Sequence, residues 1–160
     1  MQVQKITPFL WFDQQAEEAA NFYVSIFPNS KVTKVVRYGP AGPGPAGSVL
    51  TVAFELDGLS LVALNGGPHF KFTEAVSFVV NCQSQDEVDK YWEKLLAGGG
   101  TPSQCGWLKD KFGLSWQITP TILPELLSNP DPAKAGRAMQ AMMTMTKIDI
   151  GALKKAAGNG

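Results

Sequence analysis

Histidine and cysteine are scarce in this chain of 160 residues, which holds one His and two Cys. Two thiols cannot build the bridged framework of a small secreted domain. Cys82 and Cys105 also lack the CxxC spacing of a zinc or thioredoxin-like site, so reduced thiols are expected. Net charge is missing as well: 14 Lys plus Arg balance 14 Asp plus Glu, and the pI is about 6.6. With no Lys/Arg cluster there is no basic stripe to displace counterions from a duplex, and nucleic acid is excluded as an expected partner. Long apolar runs are absent too. A membrane span needs about 20 apolar residues and a secretory leader roughly 7–15 behind a basic start; Ile6 to Phe12, interrupted by Thr7 and Pro8, supplies neither. The expectation is a cytoplasmic protein with no membrane partner. What the chain does have is 44% apolar against 18% charged residues, enough to bury a core, at a length suited to one domain of roughly 100–200 residues.

Local patterning divides that core into two similar stretches. Lys5 to Phe12 has the branched and aromatic content of a strand. It is followed by a helix over Gln14 to Phe27, where Ala16, Ala19, Ala20, Tyr23, Ile26 and Phe27 recur at three- and four-residue steps, Asp13 stands as cap and Pro28-Asn29 as stop. Strands are then predicted over Val32 to Tyr38, Ser48 to Leu56 and Leu59 to Leu64, the last two joined by the hairpin pair Asp57-Gly58. The order restarts after a loop over Asn65 to Phe72. Ala75 to Cys82 reads as a strand, Ser84-Gln85-Asp86-Glu87 as a capping box, and Val88, Tyr91, Trp92, Leu95 and Leu96 as one helix face ended by Gly98-Gly99-Gly100. Strand patterning returns over Thr101 to Leu108 and, past a turn at Asp110 to Gly113, over Leu114 to Thr119. The first half reads β-α-β-β-β and the second β-α-β-β, with room for a shorter third strand, and two halves of the same order imply a duplicated unit whose helix covers one sheet face and leaves the other free. The tail differs: Asn129-Pro130-Asp131-Pro132 starts a helix over Ala133 to Met145, rich in Met139, Met142, Met143 and Met145, and a shorter helix follows over Asp149 to Ala157. Methionine at this density is adaptable packing material for a core or a dimer contact.

Few residues carry chemistry on their own. Gly39 to Gly47 (GPAGPGPAG) is glycine-rich but lies between strands and contains Pro40, Pro43 and Pro45, so it is a mobile connecting loop and no phosphate cradle, which must open directly into a helix. With no other glycine-rich strand-to-helix junction, a Rossmann-type S-adenosylmethionine site is not expected. His69 sits in a Gly-Gly-Pro loop with no carboxylate at ligand spacing, and a stable divalent site wants three or four donors. Cys105 has only Lys109 nearby to activate it. Trp107, Phe112 and Trp116 crowd around Lys109, Asp110 and Lys111, a mixture that suits either a small-molecule pocket or a core beside a charged turn. Cys105, Asp110 and His69 are thus the weak catalytic candidates.

Taken together, Ile6-Thr7-Pro8-Phe9-Leu10-Trp11-Phe12-Asp13, Asn21-Phe22-Tyr23, Phe27-Pro28-Asn29-Ser30 and the run Cys105 to Gln117 (CGWLKDKFGLSWQ) resemble the PhnB-like branch of the glyoxalase/bleomycin-resistance/dioxygenase superfamily, over about residues 4 to 146. The resemblance implies the vicinal-oxygen-chelate fold: α+β, two βαβββ modules in a cupped mixed sheet. On this reading residues 1–127 form that domain, with modules at about 4–66 and 73–121, and residues 128–160 a C-terminal helical extension. It also implies a homodimer. Members of the branch are often labelled 3-demethylubiquinone-9 3-methyltransferase-like. The superfamily's metal enzymes hold a divalent ion at positions that fall here on Pro8, Ala75 and Gln117; one neutral amide cannot hold an ion against water, so no metal and no cofactor are expected. Strand alternation is expected to aim Pro8, Leu10 and Phe12, with Ala75, Ser77 and Val79 and with Ser115, Gln117 and Thr119, into the cup, while Phe9, Trp11, Phe78 and Trp116 face the helices. Leu10, Phe12, Ser77, Trp107, Ser115 and Gln117 are the expected ligand-binding set. Such a lining suits a small neutral or aromatic organic molecule and offers no cation to a compact anion. The leading expectation is a metal-free binding protein; the alternatives are a methyltransferase-like enzyme or a drug-sequestering resistance protein.

Overall fold

The computed structural model describes residues 4–158, so the expected outer bounds at residues 1 and 160 lie outside the described residues. The chain divides into two compact units, Met1–Lys71 and Phe72–Gly160. Within the first, β1 (Phe9–Phe12) leads into α1 (Ala16–Ile26), then β2 (Lys31–Arg37), β3 (Val49–Leu56) and β4 (Leu59–Asn65). These strands form one mixed sheet in the order β1-β4-β3-β2, with β1 parallel to β4 and the rest antiparallel. The hairpin forms where its residues demand it. Asp57 and Gly58 both take positive φ, 46° and 88°, as a tight turn matched to strand twist requires.

The second unit repeats the order. β5 (Ser77–Cys82), α2 (Gln85–Leu96), β6 (Thr101–Pro102), β7 (Trp107–Lys109) and β8 (Ser115–Pro120) give a sheet ordered β5-β8-β7-β6, with β5 parallel to β8. The one strand expected over residues 101–108 is therefore two short ones. Between them Cys105 and Gly106 both turn through positive φ and donate their N–H groups to Met145 and Thr146 carbonyls at 2.8 Å, so this stretch docks the tail instead of extending the ladder. Three helices follow: α3 (Ile122–Leu127), which patterning did not anticipate, α4 (Pro132–Met143) and α5 (Ile150–Ala156). They close a small core of their own on Leu123, Leu126, Ala138, Ile148, Leu153 and Ala157, with Met142 and Met145 packed against it while Met139 and Met143 stay exposed. The architecture is α+β: two βαβββ modules and a helical C-terminal segment. No described helix is long and apolar enough to cross a membrane.

Capping shows which signals act locally. Ser84 accepts from the Glu87 N–H at 3.2 Å, while the Glu87 carboxylate reaches the Gln83 N–H, so the capping box is displaced by one residue on its return arm. Asp131 and Asp149 cap α4 and α5 through Ala133 and Ala152. Asp13, by contrast, does not cap α1. The first free N–H of that helix, on Ala16, is taken by the side-chain oxygen of Asn65 at 2.8 Å, from the far end of β4.

Each helix buries one face of its own sheet. In the first unit the buried face carries Leu10, Val52, Phe54, Leu61 and Ala63, all 5% exposed or less, under Ala16, Ala19, Ala20, Tyr23 and Ile26 of α1. Tyr23 stacks on Phe54 with ring centroids 6.2 Å apart, a pair that contributes about 0.5–1.5 kcal/mol beyond its area. In the second unit Leu108, Trp116, Ile118 and Cys82 lie on the buried face, and Val88, Tyr91 and Leu95 of α2 are buried with them.

Candidate functional site

Strand parity decides which expected ligand residues share a surface. In the second unit the cross-strand partners run Trp107–Gln117–Val79 and Lys109–Ser115–Ser77, so these six side chains occupy the sheet face turned away from α2. Ser77, Trp107, Ser115 and Gln117 thus share one sheet face. Phe78 and Trp116 lie on the opposite face and meet edge to face at 5.4 Å.

Leu10 and Phe12, of the first unit, take the helix-covered face of their own sheet. Leu10 pairs with Ala63 and Phe12 with Asn65, and the two are 5% and 3% exposed within the core beside α1. The residues expected to face the helix, Phe9 and Trp11, are the ones on the free face of the first sheet. Phe9 is 61% exposed. The Trp11 indole is covered by a loop: its N–H donates to the Gly67 carbonyl at 2.9 Å and its ring meets Phe70 edge-on at 4.8 Å. The close approach of that loop requires a glycine, because a Cβ on Gly66 would stand 2.2 Å from the ring.

The free face of the second sheet carries several polar groups. The Gln117 side-chain amide donates to Ser77 Oγ at 2.9 Å. Lys109 Nζ pairs with the Glu74 carboxylate, which lies just ahead of β5, and this neighbour holds the Glu74 carboxyl below its ordinary value. Ser115 is 1% exposed and its hydroxyl oxygen has no hydrogen-bond partner among the described residues. Lys109 also corrects the expectation that this surface lacks a cation.

The catalytic candidates fare differently. Asp110 is 3% exposed and its carboxylate accepts from the backbone N–H groups of Phe112 (2.8 Å) and Leu114 (3.1 Å) and from the Trp116 indole N–H (2.9 Å), so it shapes the turn before β8. Cys105 is half-buried in the loop that docks the tail. His69 is exposed in its loop. Cys82 is buried, and burial pushes its thiol up to about 12, with the Glu87 charge adding to the rise.

The positions implied for a divalent ion do not fit one. Pro8 offers only a carbonyl, which accepts from the Val62 N–H at 3.0 Å. Ala75 has no donor, and the Gln117 amide is engaged with Ser77. Among the described residues no three His, Cys, Asp or Glu side chains converge.

A concavity of about 550 Å³ lies wholly in the first unit, lined among others by Asp13, Glu17, Tyr38, Ser48, Asn65 and Gly66. Asn65 organises it, bonding Ala16 and Val49 through its side chain while its carbonyl accepts from the Tyr38 hydroxyl at 3.3 Å. The loop over residues 39–47, expected to be mobile, closes on the Tyr38 ring: a Cβ on Gly44 would lie 2.5 Å from it. No sequence signal marked this cavity, because its walls come from four separated segments.

The family model for 3-demethylubiquinone-9 3-methyltransferase matches residues 4–119. Among solved structures, a PhnB protein of Bacillus cereus, provisionally named as a 3-demethylubiquinone-9 3-methyltransferase, is 38% identical, with 74% of this chain and 100% of that one covered and a TM-score of 0.67. PA1353 of Pseudomonas aeruginosa (19% identity, 74% and 98% covered, TM-score 0.60) and the fosfomycin resistance protein FosX of Listeria monocytogenes (18%, 78% and 98%, 0.52) share the fold. No curated protein matches the chain.

Proposed function

Since the chain belongs to the PhnB-like 3-demethylubiquinone-9 3-methyltransferase family of the vicinal-oxygen-chelate superfamily, we propose that it binds a small organic molecule on the free face of the second sheet without a divalent ion. The observation that carries this reading is the composition of that face. Trp107 and Val79 offer apolar surface beside a few convergent polar groups, Ser77, Gln117, Ser115 and Lys109, the mixture by which small-molecule sites fix orientation. The unpartnered Ser115 hydroxyl supports it further, since a buried polar group left without a partner costs about 1–3 kcal/mol, recovered when a partner arrives.

Methyl transfer, the reading attached to the Bacillus cereus relative's name, needs a place for S-adenosylmethionine. Residues 13–15 and 83–84, where strands enter α1 and α2, contain no glycine, and each sheet has only four mixed strands, so the residues do not fit the doubly wound cofactor site. Binding without assigned catalysis is therefore the function put forward. Titration with benzamide, followed by amide and indole NMR signals, tests it. Saturable shifts confined to residues 77–79, 107–109 and 115–117, unchanged by EDTA or by added nickel, are expected. Shifts that require nickel, or none in those segments with benzamide, benzoate or acetate, overturn it.

A further inference from the structure

The ion pair on the free face crosses the sheet. Lys109 lies on β7 and Glu74 just ahead of β5, and β8 runs between those strands, so the pair bridges two strand spacings, about 10 Å. The residue of β8 in register with Lys109 and with Ser77 is Ser115. Ser115 is only 1% exposed on this face, while its neighbours Gln117 and Val79 are more open. The bridge itself faces solvent, with side-chain exposures of 43% for Lys109 and 60% for Glu74, and surface pairs of that kind are weakly held. It is thus easily exchanged. A carboxylate is already seated on Lys109, and it belongs to the chain.

We propose that this face takes a small planar carboxylate, which displaces Glu74 from Lys109 and seats its anionic group between Lys109 and Ser115, with its planar body against Trp107. The inference rests on the reading of this face as a ligand site and adds the ligand's class. Each polar element then has a task. Lys109 supplies the charge, which a neutral analogue cannot use. Ser115, uncovered as the bridge opens, donates its hydroxyl proton to a carboxylate oxygen, and a hydrogen bond to an ionised acceptor is about twice as strong as a neutral one. Trp107, two residues along β7 on the same side, provides an aromatic surface next to the cation. The Gln117–Ser77 pair borders the far side of Ser115 and keeps donors in reach of a ring substituent. Glu74 is an internal competitor, so removing its charge tightens binding; a merely structural ion pair has no such consequence.

The experiment compares benzoate, benzamide and acetate by the Trp107 indole and Ser115 amide NMR shifts, in the wild-type chain and in Glu74→Gln and Lys109→Met. Expected are benzoate at least 10-fold tighter than benzamide and than acetate, a gain of at least 3-fold for benzoate in Glu74→Gln, and loss of the benzoate preference in Lys109→Met. Glu74→Gln keeps the fold readable if Lys109→Met fails to fold. Equal affinity for benzoate and benzamide, or weaker benzoate binding in Glu74→Gln, overturns the carboxylate inference and leaves the ligand face standing. Acetate binding as tightly as benzoate overturns the planar-body assignment. Failure of all three to shift these residues overturns both readings.

Discussion

Replacing Asp110 separates a structural role from a catalytic one, because its carboxylate is fully engaged by the chain. Three donors converge on it: two backbone N–H groups of the turn, at 2.8 and 3.1 Å, and the Trp116 indole at 2.9 Å. Hydrogen bonds to an ionised acceptor contribute about 1.5–3 kcal/mol each, and the site is 3% exposed, so water cannot stand in. Asp110→Asn keeps one oxygen for the backbone pair but turns an amide N–H₂ toward the indole N–H, two donors face to face. We expect a loss of about 2–4 kcal/mol, and a larger loss for Asp110→Ala, which leaves all three donors unpaired. Urea unfolding followed by far-ultraviolet circular dichroism measures this. A cycle with Trp116→Phe sharpens it: with the indole donor gone, Asp110→Asn should cost at least about 1 kcal/mol less than it does in the wild-type background. An Asp110→Asn protein within about 0.5 kcal/mol of wild type, or costs that simply add across the cycle, refutes the reasoning.

Other outcomes follow from single observations. The Cys82 thiol, buried and pushed up to about 12, should resist iodoacetamide at pH 8 while Cys105 reacts, so that mass spectrometry finds one modified thiol per native chain; two would show that Cys82 is accessible. Asp89 is held below its ordinary value, mainly by the Lys147 ammonium at 2.8 Å and next by the Gln85 amide, which also binds the Ile148 carbonyl. A depressed carboxyl contributes stability above its unfolded value of about 3.9 that is lost as pH falls through the folded one, so amide exchange at Ile148 and Ile150 should quicken below pH of about 4, and Asp89→Asn should flatten that response. Gly66→Ala drives a methyl into the Trp11 ring and should cost about 1–3 kcal/mol with a red-shifted Trp emission; an unchanged Tm would mean that the loop gives way freely.

How much of this was legible follows from the range of the forces involved. The duplicated order, the Asp57-Gly58 turn and the caps at Ser84, Asp131 and Asp149 are set by residues within a few positions of one another, and patterning finds them. The cap of α1 escaped because its donor and acceptor, Ala16 and Asn65, meet only when β4 is laid beside β1. The same distance defeated the parity of β1. Phe9 and Trp11 look like core residues, but the helix-covered face was filled by Leu10 against Ala63, and Trp11 was claimed by the loop at Gly66 and Gly67. In the second sheet the parity was legible, since Trp116 and Ile118 are large on the helix side and Ser115 and Gln117 are polar on the other. Lys109 read as part of a charged turn, because nothing in the local string says that its partner, Glu74, lies across two strands.

The duplication also bears on why one fold holds so many sites. In both units the face under the helix is apolar and tightly packed, Leu10, Val52, Phe54, Leu61 and Ala63 in one, Leu108, Trp116, Ile118 and Cys82 in the other. There a change of one methylene is felt, so the residue choices are narrow. The uncovered faces have no such constraint and have diverged: Phe9, Trp11, Val62 and Leu64 occupy the first, while Ser77, Lys109, Ser115 and Gln117 occupy the second. Ala75, two residues ahead of Ser77, and Gln117 lie on the free-face parity of the second unit, so side chains at these two positions can change without disturbing the packed core. It is therefore the free face, not the fold, that has to be read for function.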